Sequence, residues 1–312
     1  MSALAPHRID SAADFGRVAL LVGGDSAERE VSLNGGRAVA AGLARQGIDV
    51  TTFDGAPALF AAIAAGTVDR VFNLMHGPGG EDGAIQGALQ LMGVPVTGTG
   101  VLGSALTMDK LRSKWVWQRL GIDTAPFHVQ GPGDIDADAI AAFDGVLFVK
   151  PAGLGSSIGV SRVTNTQELA PAVELARRYS DTVIIEQGIT GGEYFAGVLD
   201  GVALPLIRIE TPNAFYDYDA KYESDQTRYF CPCGLAPDDE ARLQQASLAA
   251  YRALGGEGWG RVDFILDDDG RPWFLEANTV PGMTDHSLVP QAAAVLGIDF
   301  DDLVWRILET SL

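Results

Sequence analysis

Apolar and polar positions along residues 17–97 follow two alternating spacings. Short apolar runs are typical of buried strands, and between them apolar residues recur every three or four positions, as on one face of a helix. This alternation predicts a βαβ layout with a parallel sheet. The predicted strands are Val18–Val22, Ile48–Phe53, Val71–Leu74 and Val94–Val96, and the predicted helices are Ser32–Gln46, Ala56–Ala65 and Ala84–Met92. The small, turn-rich residues 97–104 indicate a domain boundary.

The pattern changes after residue 105. Residues 105–190 are typical of a small α+β module, and the remaining residues predict further strands, a long polar loop and two helices. The predicted helices are Leu106–Leu120, Gln167–Tyr179, Asp239–Leu254 and Phe300–Leu308. The predicted strands are Phe127–Val129, Val146–Lys150, Gly159–Val163, Val183–Gln187, Tyr194–Leu199, Val202–Ile209, Arg261–Leu266 and Pro272–Glu276. The sequence therefore predicts an α/β part followed by an α+β part.

Residues 258–284 contain the most informative chemistry. Two strand-like runs flank an Asp/Gly turn there and predict a β-hairpin. Because side chains alternate along a strand, Arg261 shares a face with Asp263, and Glu276 shares a face with Asn278. Two carboxylates and an amide oxygen, without Cys or His, indicate a site for a hard cation such as Mg²⁺, which usually completes its shell with substrate phosphates and water. The alternative interpretation is a solvated acidic hairpin.

Charge limits the possible partners. Among 312 residues, 22 Lys and Arg oppose 41 Asp and Glu, which gives a formal net charge of −19. This charge does not favour a general affinity for nucleic acid or an anionic membrane, so we expect a local cluster of cations to hold any bound anion. Only four cations are lysines: Lys110, Lys114, Lys150 and Lys221. A compact ammonium suits phosphate, although we expect Lys114 to lie on a solvated helix face.

Two further features bear on the compartment. Cys231 and Cys233 have neither zinc nor disulfide spacing, and we interpret them as incidental thiols of a reducing compartment. The N-terminal residues have no apolar targeting segment, and no stretch of the sequence is long enough to cross a bilayer. A cytoplasmic location is expected.

A glycine-rich loop follows a predicted strand at residues 150–159. Its glycines allow a ligand to approach the backbone closely, Ser156 and Ser157 add hydroxyl donors, and Lys150 adds charge at the base of the loop. The spacing fits neither the dinucleotide-binding G-x-G-x-x-G fingerprint nor the P-loop. Without Lys150, an ordinary hairpin would explain the loop equally well.

Two other segments end strands of the predicted parallel sheet, where ligands bind in open α/β folds. Glu28 or Glu30 could hold a substrate cation, or could simply complement a helix dipole. His76 lies among glycines, which favours a binding site over a hydrogen-bonded loop histidine.

Residues 215–229 form a long, polar segment with Lys221 and Tyr222 near its middle. Loops of this kind are often lids. The alternative is a surface loop with packed tyrosines.

These segments together resemble the D-alanine–D-alanine ligase family of ATP-grasp carboxylate–amine ligases. The matching strings run in order along nearly the whole chain, at residues 23–36, 76–87, 100–114, 155–160, 215–222, 258–264 and 275–290. The resemblance implies an ATP-grasp fold preceded by an N-terminal parallel-sheet (pre-ATP-grasp) domain. It implies three domains: 1–100 on the substrate side, 101–190 with the glycine-rich phosphate loop, and 191–312 with the lid loop and the metal site.

The resemblance also implies a nucleotide and metal site. Lys110 and Lys150 look like the phosphate-binding lysines, and Glu186 and Glu193 look like the acids that read adenine and ribose. Positions expected to bind ATP are therefore Lys110, Lys150, Ser157, Glu186, Glu193 and Lys221. Positions that resemble the ligands of two Mg²⁺ ions, for which Mn²⁺ can substitute, are Asp263, Glu276 and Asn278. The chain departs from the usual family pattern at Gln187-Gly188 and at Pro78.

On the substrate side, Glu28 matches the residue that holds the ammonium of the first D-alanine. Arg261 and the Gly282 N–H match the donors to the reaction's oxyanion. The positions matching contacts to the second D-alanine are Ser287 and Leu288, with His76 as a further candidate, and those matching the partners that lock the lid and position Glu28 are Ser156 and Tyr222.

The implied reaction is the ATP-driven ligation of two D-alanines through an acyl phosphate, for peptidoglycan synthesis, by a homodimeric enzyme. A D-alanine–D-lactate ligase is the near alternative. The resemblance implies that such ligases generally lack the tyrosine found here at Tyr222, which favours the dipeptide-forming enzyme. A non-catalytic nucleotide-binding module is the distant one, and all three metal-ligand positions argue against it.

Overall fold

The computed structural model describes residues 4–155, 157–212, 226–284 and 287–312. Ser156, Lys221, Tyr222 and most of the predicted lid loop lie outside the described residues, so the predictions made for them stay predictions. Within the described ranges, no helix has both the length and the apolar character needed to cross a membrane.

The first sheet is parallel and has three strands in the order β2-β1-β3. Its strands are β1 (Val18–Val22), β2 (Val50–Asp54) and β3 (Arg70–Asn73). The helices of this part are α1 (Arg29–Arg45), α2 (Ala56–Ala64) and α3 (Ala84–Leu91), after a 3₁₀ turn at Ala12–Phe15. The predicted parallel βαβ layout is confirmed. The predicted strand Val94–Val96 is reduced to a single bridge between Val71 and Val96.

The second sheet has four antiparallel strands in the order β4-β7-β5-β6. Its strands are β4 (Phe127–Gln130), β5 (Leu147–Pro151), β6 (Ser161–Val163) and β7 (Val183–Gln187). The helices of this part are α4 (Val101–Met108), α5 (Lys110–Leu120), α6 (Ala137–Ile140) and α7 (Thr166–Arg177). The helix predicted over Leu106–Leu120 is in fact two helices, because Asp109 is extended and its side chain accepts a hydrogen bond from the Arg112 N–H at 2.9 Å.

The third sheet is antiparallel, with the order β11-β10-β8-β12-β13 and β9 paired to β8. Its strands are β8 (Gly192–Leu199), β9 (Val202–Ala203), β10 (Ile207–Glu210), β11 (Arg228–Phe230), β12 (Trp259–Leu266) and β13 (Pro272–Asn278). The helices are α8 (Pro237–Ala253), α9 (Leu288–Val295) and α10 (Phe300–Glu309). The single strand predicted over Val202–Ile209 is divided, since Pro205 has no N–H to donate to a ladder.

One apolar core joins the first sheet to the third. Phe72 of β3 packs against Trp259 of β12 with ring centroids 6.4 Å apart, and helices α1 and α10 close the same cluster. A second core lies between the third sheet and helices α5 and α8, with Trp117 at its centre. A third lies between the second sheet and α7. This packing brings the carboxyl ends of β1 and β3, helix α5 and the β12–β13 hairpin together around one region.

Candidate active site

That region contains two adjoining clefts, and all the described residues predicted for the site line them. The His76 cleft is lined by Glu28, His76, Arg261, Asn278, Gly282, Ser287 and Leu288. The Lys150 cleft is lined by Lys150, Ser157, Glu186, Glu193 and Asp263. Lys110 and Glu276 line both clefts, so the two share a wall.

The β12–β13 hairpin supplies the Glu276 side of that wall. Its register sets Arg261 opposite Asn278 and Asp263 opposite Glu276, and cross-strand partners lie on the same face of a sheet. The face sharing predicted from the sequence is confirmed. Two carboxylates and an amide oxygen fit a hard cation, and the Asn278 Oδ1 also accepts a hydrogen bond from the Val280 N–H at 3.2 Å. Among the described residues, no group of three or more His, Cys, Asp or Glu side chains is arranged to hold a metal.

Arg261 and Asp263 form a bidentate ion pair on β12. Arg261 Nε lies 2.6 Å from Asp263 Oδ1, and an Arg261 terminal nitrogen lies 2.8 Å from Oδ2. Both side chains are largely buried, and the guanidinium also lies over the ring of Phe195, 5.3 Å from its centroid. Such a fork holds the guanidinium in a defined plane beside the cleft.

Lys110 begins helix α5 and connects the two clefts. Its Nζ lies 2.9 Å from Glu276 Oε2 and donates to the Leu154 carbonyl at 2.5 Å. Burial opposes the charged form of Lys110, but the Glu276 carboxylate outweighs it and raises the pKa of the ammonium. Lys110 therefore stays charged beside one of the proposed metal ligands.

Glu186 on β7 is the centre of a second charge cluster. Its Oε2 lies 2.8 Å from Lys114 Nζ, and its Oε1 accepts a hydrogen bond from Lys150. Burial raises the pKa of the Glu186 carboxyl, but the two lysines outweigh burial and lower it to about 2. The expectation that Lys114 lies on a solvated helix face is wrong: it is 1% exposed. Lys110 and Lys114 are four residues apart and share one face of α5, which packs inward.

Glu28 and His76 meet at the ends of β1 and β3. A β-carbon added to Gly77 would lie 2.8 Å from Glu28 Oε2, and one added to Gly155 would lie 3.1 Å from it, so both loops closely approach this carboxylate. Gly77 also has φ of +72°. Burial lowers the pKa of His76 to about 4, so the imidazole is neutral at pH 7.

Glu81 also lines the His76 cleft and was missed by sequence reasoning. It is buried, and its Oε2 accepts a hydrogen bond from the Gly77 N–H at 2.6 Å. Burial, reinforced by the Glu28 carboxylate, raises its pKa well above the ordinary value. The available signal was its place in the same glycine-rich segment as His76.

The remaining predicted residues lie at the edges of the clefts. Ser287 precedes helix α9 and its Oγ accepts a hydrogen bond from the Thr284 N–H at 2.9 Å. The N–H groups that open a helix favour an anion, which suits a substrate carboxylate. Ser157 has φ of +59°, an uncommon backbone conformation for serine. Glu193 lies on β8, which pairs with the hairpin.

Comparison with known proteins identifies the family of this chain. The family model "D-ala D-ala ligase N-terminus" matches residues 56–99, and "D-ala D-ala ligase C-terminus" matches residues 116–309. A D-alanine–D-alanine ligase of Methylococcus capsulatus is 53% identical over 305 residues, covering 97% of this chain and 98% of the relative.

Solved structures with a similar fold belong to ligases that act on D-alanine. The D-alanine–D-alanine ligase of Bacillus anthracis complexed with ATP is similar with a TM-score of 0.83 at 31% identity, covering 95% of this chain and 97% of that one. The VanG D-Ala:D-Ser ligase of Enterococcus faecalis has a TM-score of 0.81 at 29% identity, covering 95% of this chain and 99% of that one. The fold is thus the ATP-grasp fold preceded by a parallel-sheet unit. The chain belongs to the D-alanine–D-alanine ligase family.

Proposed function

We infer that the protein is an ATP-dependent ligase that joins two D-alanines to D-alanyl-D-alanine, for peptidoglycan synthesis. The observation that carries this inference is the 53% identity to a D-alanine–D-alanine ligase over nearly the full length of both chains. The two clefts that share Lys110 and Glu276 support it, because a ligase must bring a nucleotide phosphate to a second substrate.

We propose that ATP occupies the Lys150 cleft. Lys150 and Lys110 face the phosphates as local cations in a chain of net charge −19, and Glu186 and Glu193 face the base and the ribose. Asp263, Glu276 and Asn278 would hold two Mg²⁺ ions, for which Mn²⁺ can substitute. Ions bound there would neutralise charge on the transferring phosphoryl group.

D-alanine is proposed to occupy the His76 cleft. Glu28 pairs with the ammonium of the first D-alanine, whose carboxylate oxygen attacks the γ-phosphorus of ATP, giving an acyl phosphate and ADP. Ser287 and Leu288, at the start of α9, receive the carboxylate of the second D-alanine. The neutral amine of that second molecule then attacks the acyl carbon, loses a proton and expels phosphate.

We propose that Arg261 and the Gly282 N–H, from two residues that line the His76 cleft, stabilise the tetrahedral oxyanion of this second step. The Arg261–Asp263 fork holds the guanidinium before any substrate arrives, so little reorganisation is needed during the reaction. Such a donor is more valuable in the transition state than in the ground state.

Phosphate release from ATP tests the proposal directly. The protein should release phosphate in proportion to added D-alanine and form the dipeptide, and parallel reactions should pair D-alanine with D-serine or D-lactate as the second substrate. Release only with D-lactate or D-serine would assign a different ligase specificity. ATP binding without any D-alanine-dependent release would reject ligase activity.

We also propose that the enzyme is a cytoplasmic homodimer. In the proposed dimer, the side chains of Leu91 of α3 and Leu102 of α4, which are 91% and 71% exposed, lie against a second copy of the chain. Light scattering coupled to gel filtration should give twice the 32.9 kDa mass of the chain.

A further inference from the structure

Lys114 lies behind the Lys150 cleft rather than in it. Lys114 is not among the described residues that line this cleft, whereas its partner Glu186 is. Its side chain is 1% exposed, and a buried ammonium is costly unless it is well paired. The position therefore needs an explanation beyond the fold of helix α5.

Three side chains surround the Lys114 ammonium: Thr124, Phe127 and Glu186. Thr124 accepts a hydrogen bond from it at 2.7 Å, and the Thr124 hydroxyl donates onward to the Phe274 carbonyl at 2.8 Å. The ring of Phe127 lies 5.5 Å away. With the Thr124 proton donated to Phe274, a lone pair of Thr124 faces Lys114 and holds the ammonium 2.8 Å from Glu186 Oε2.

Glu186 divides its two oxygens between two lysines of different exposure. Oε2 faces the enclosed Lys114, and Oε1 faces Lys150, whose side chain lines the cleft and is 13% exposed. Lys150 lines the cleft and is within reach of a ligand there, whereas Lys114 does not line it. The pairing of Glu186 with Lys114 is therefore the one that survives when Lys150 engages a phosphate.

We propose that Lys114 is a positioning residue for the nucleotide, which keeps Glu186 ionised and in place while Lys150 moves from Glu186 to the phosphates of ATP. This inference rests on the proposed nucleotide site. Without Lys114, the departure of Lys150 would leave a buried carboxylate with no counter-ion among these lysines. Such a group either takes up a proton or retains Lys150, and both outcomes weaken ATP binding.

The test replaces Lys114 with methionine, which is unbranched like lysine, is one atom shorter and carries no charge. Calorimetric titration with ATP and Mg²⁺, without D-alanine, should show affinity weakened about tenfold to a hundredfold. In turnover assays the KM for ATP should rise while kcat at saturating ATP changes little. Arg119→Met is the matched control, because it removes a cation from the exposed face of the same helix and should leave ATP affinity unchanged.

A double-variant cycle keeps the proposal testable if Lys114→Met alone fails to fold. Glu186→Gln and the double variant Lys114→Met/Glu186→Gln should bind ATP with equal affinity, because Lys114 acts only through Glu186. A weaker double variant would overturn the proposal, as would a Lys114→Met protein with a lower Tm but normal ATP affinity. Wild-type protein that binds ATP without consuming D-alanine would reject the ligase function and leave this test intact.

Discussion

Replacement of Arg261 by alanine should affect stability and catalysis through separate contacts of one side chain. In the folded protein, the guanidinium holds both oxygens of the buried Asp263 carboxylate, at 2.6 and 2.8 Å. Breaking a buried pair from one side leaves an uncompensated charge and costs about 3–5 kcal/mol. We expect the lower end of that range, about 3 kcal/mol, because the Arg261 side chain keeps 14% of its exposure.

The catalytic effect has a different origin. If Arg261 donates to the tetrahedral oxyanion, its loss should lower kcat by on the order of 10²–10³, the range for removal of one oxyanion donor. The KM for ATP should change less, because the guanidinium lies in the His76 cleft. Arg261→Lys should recover only part of kcat, since a point charge lacks the planar fork.

A second substitution separates the two effects. In Arg261→Ala/Asp263→Asn a neutral amide replaces the carboxylate that lost Arg261, so thermal unfolding should return towards the wild-type Tm. The kcat of Arg261→Ala itself is measured by phosphate release below its own Tm. Near-normal kcat in folded Arg261→Ala would refute the oxyanion role, and an unchanged Tm would refute the cost assigned to the buried pair.

Three further substitutions have expected outcomes. Glu276→Gln should abolish turnover with the fold intact, because Gln keeps the shape and loses the charge that a metal needs; full activity in saturating Mg²⁺ would remove Glu276 from the metal site. Glu81 binds its proton more tightly in the folded protein than in the unfolded chain, so wild-type stability should fall as pH rises above about 4.5 towards the raised pKa. Tm measured over a series of pH values should show this fall for the wild type and not for Glu81→Gln. His76 has the opposite sign: its pKa falls from 6.5 to about 4, so stability should fall as pH drops through that window, and identical acid profiles for wild type and His76→Gln would contradict its burial in the neutral form.

The hairpin was predictable from sequence because strand alternation acts locally. Residues two apart on a strand must share a face, which was enough to bring Arg261 to Asp263 and Glu276 to Asn278. The parallel sheet was predictable for a similar reason, since apolar runs such as Val18–Val22 alternate with helical spacing.

The error at Lys114 shows where local reasoning ends. The charge of Lys114 favours solvent. However, Lys114 lies one turn after Lys110 on the same helix face, so a prediction that Lys110 faces a cleft implies that Lys114 faces inward too. What the sequence could not provide was the partner, because Glu186 lies 72 positions further along the chain on another element. For Glu81, the glycine-rich segment it shares with His76 was a local signal of its place, but its raised pKa depends on burial and on Glu28, which that segment does not reveal.

The wall shared by the two clefts has a thermodynamic consequence. Lys110 and Glu276 are paired to each other and face both clefts, so a ligand that draws either group away in one cleft changes the charge presented to the other. Binding in the two clefts is therefore linked, and linkage is reciprocal: the factor by which ATP changes the affinity for D-alanine must equal the factor by which D-alanine changes the affinity for ATP. A substitution at this one ion pair of 2.9 Å should therefore change ligand affinity in both clefts.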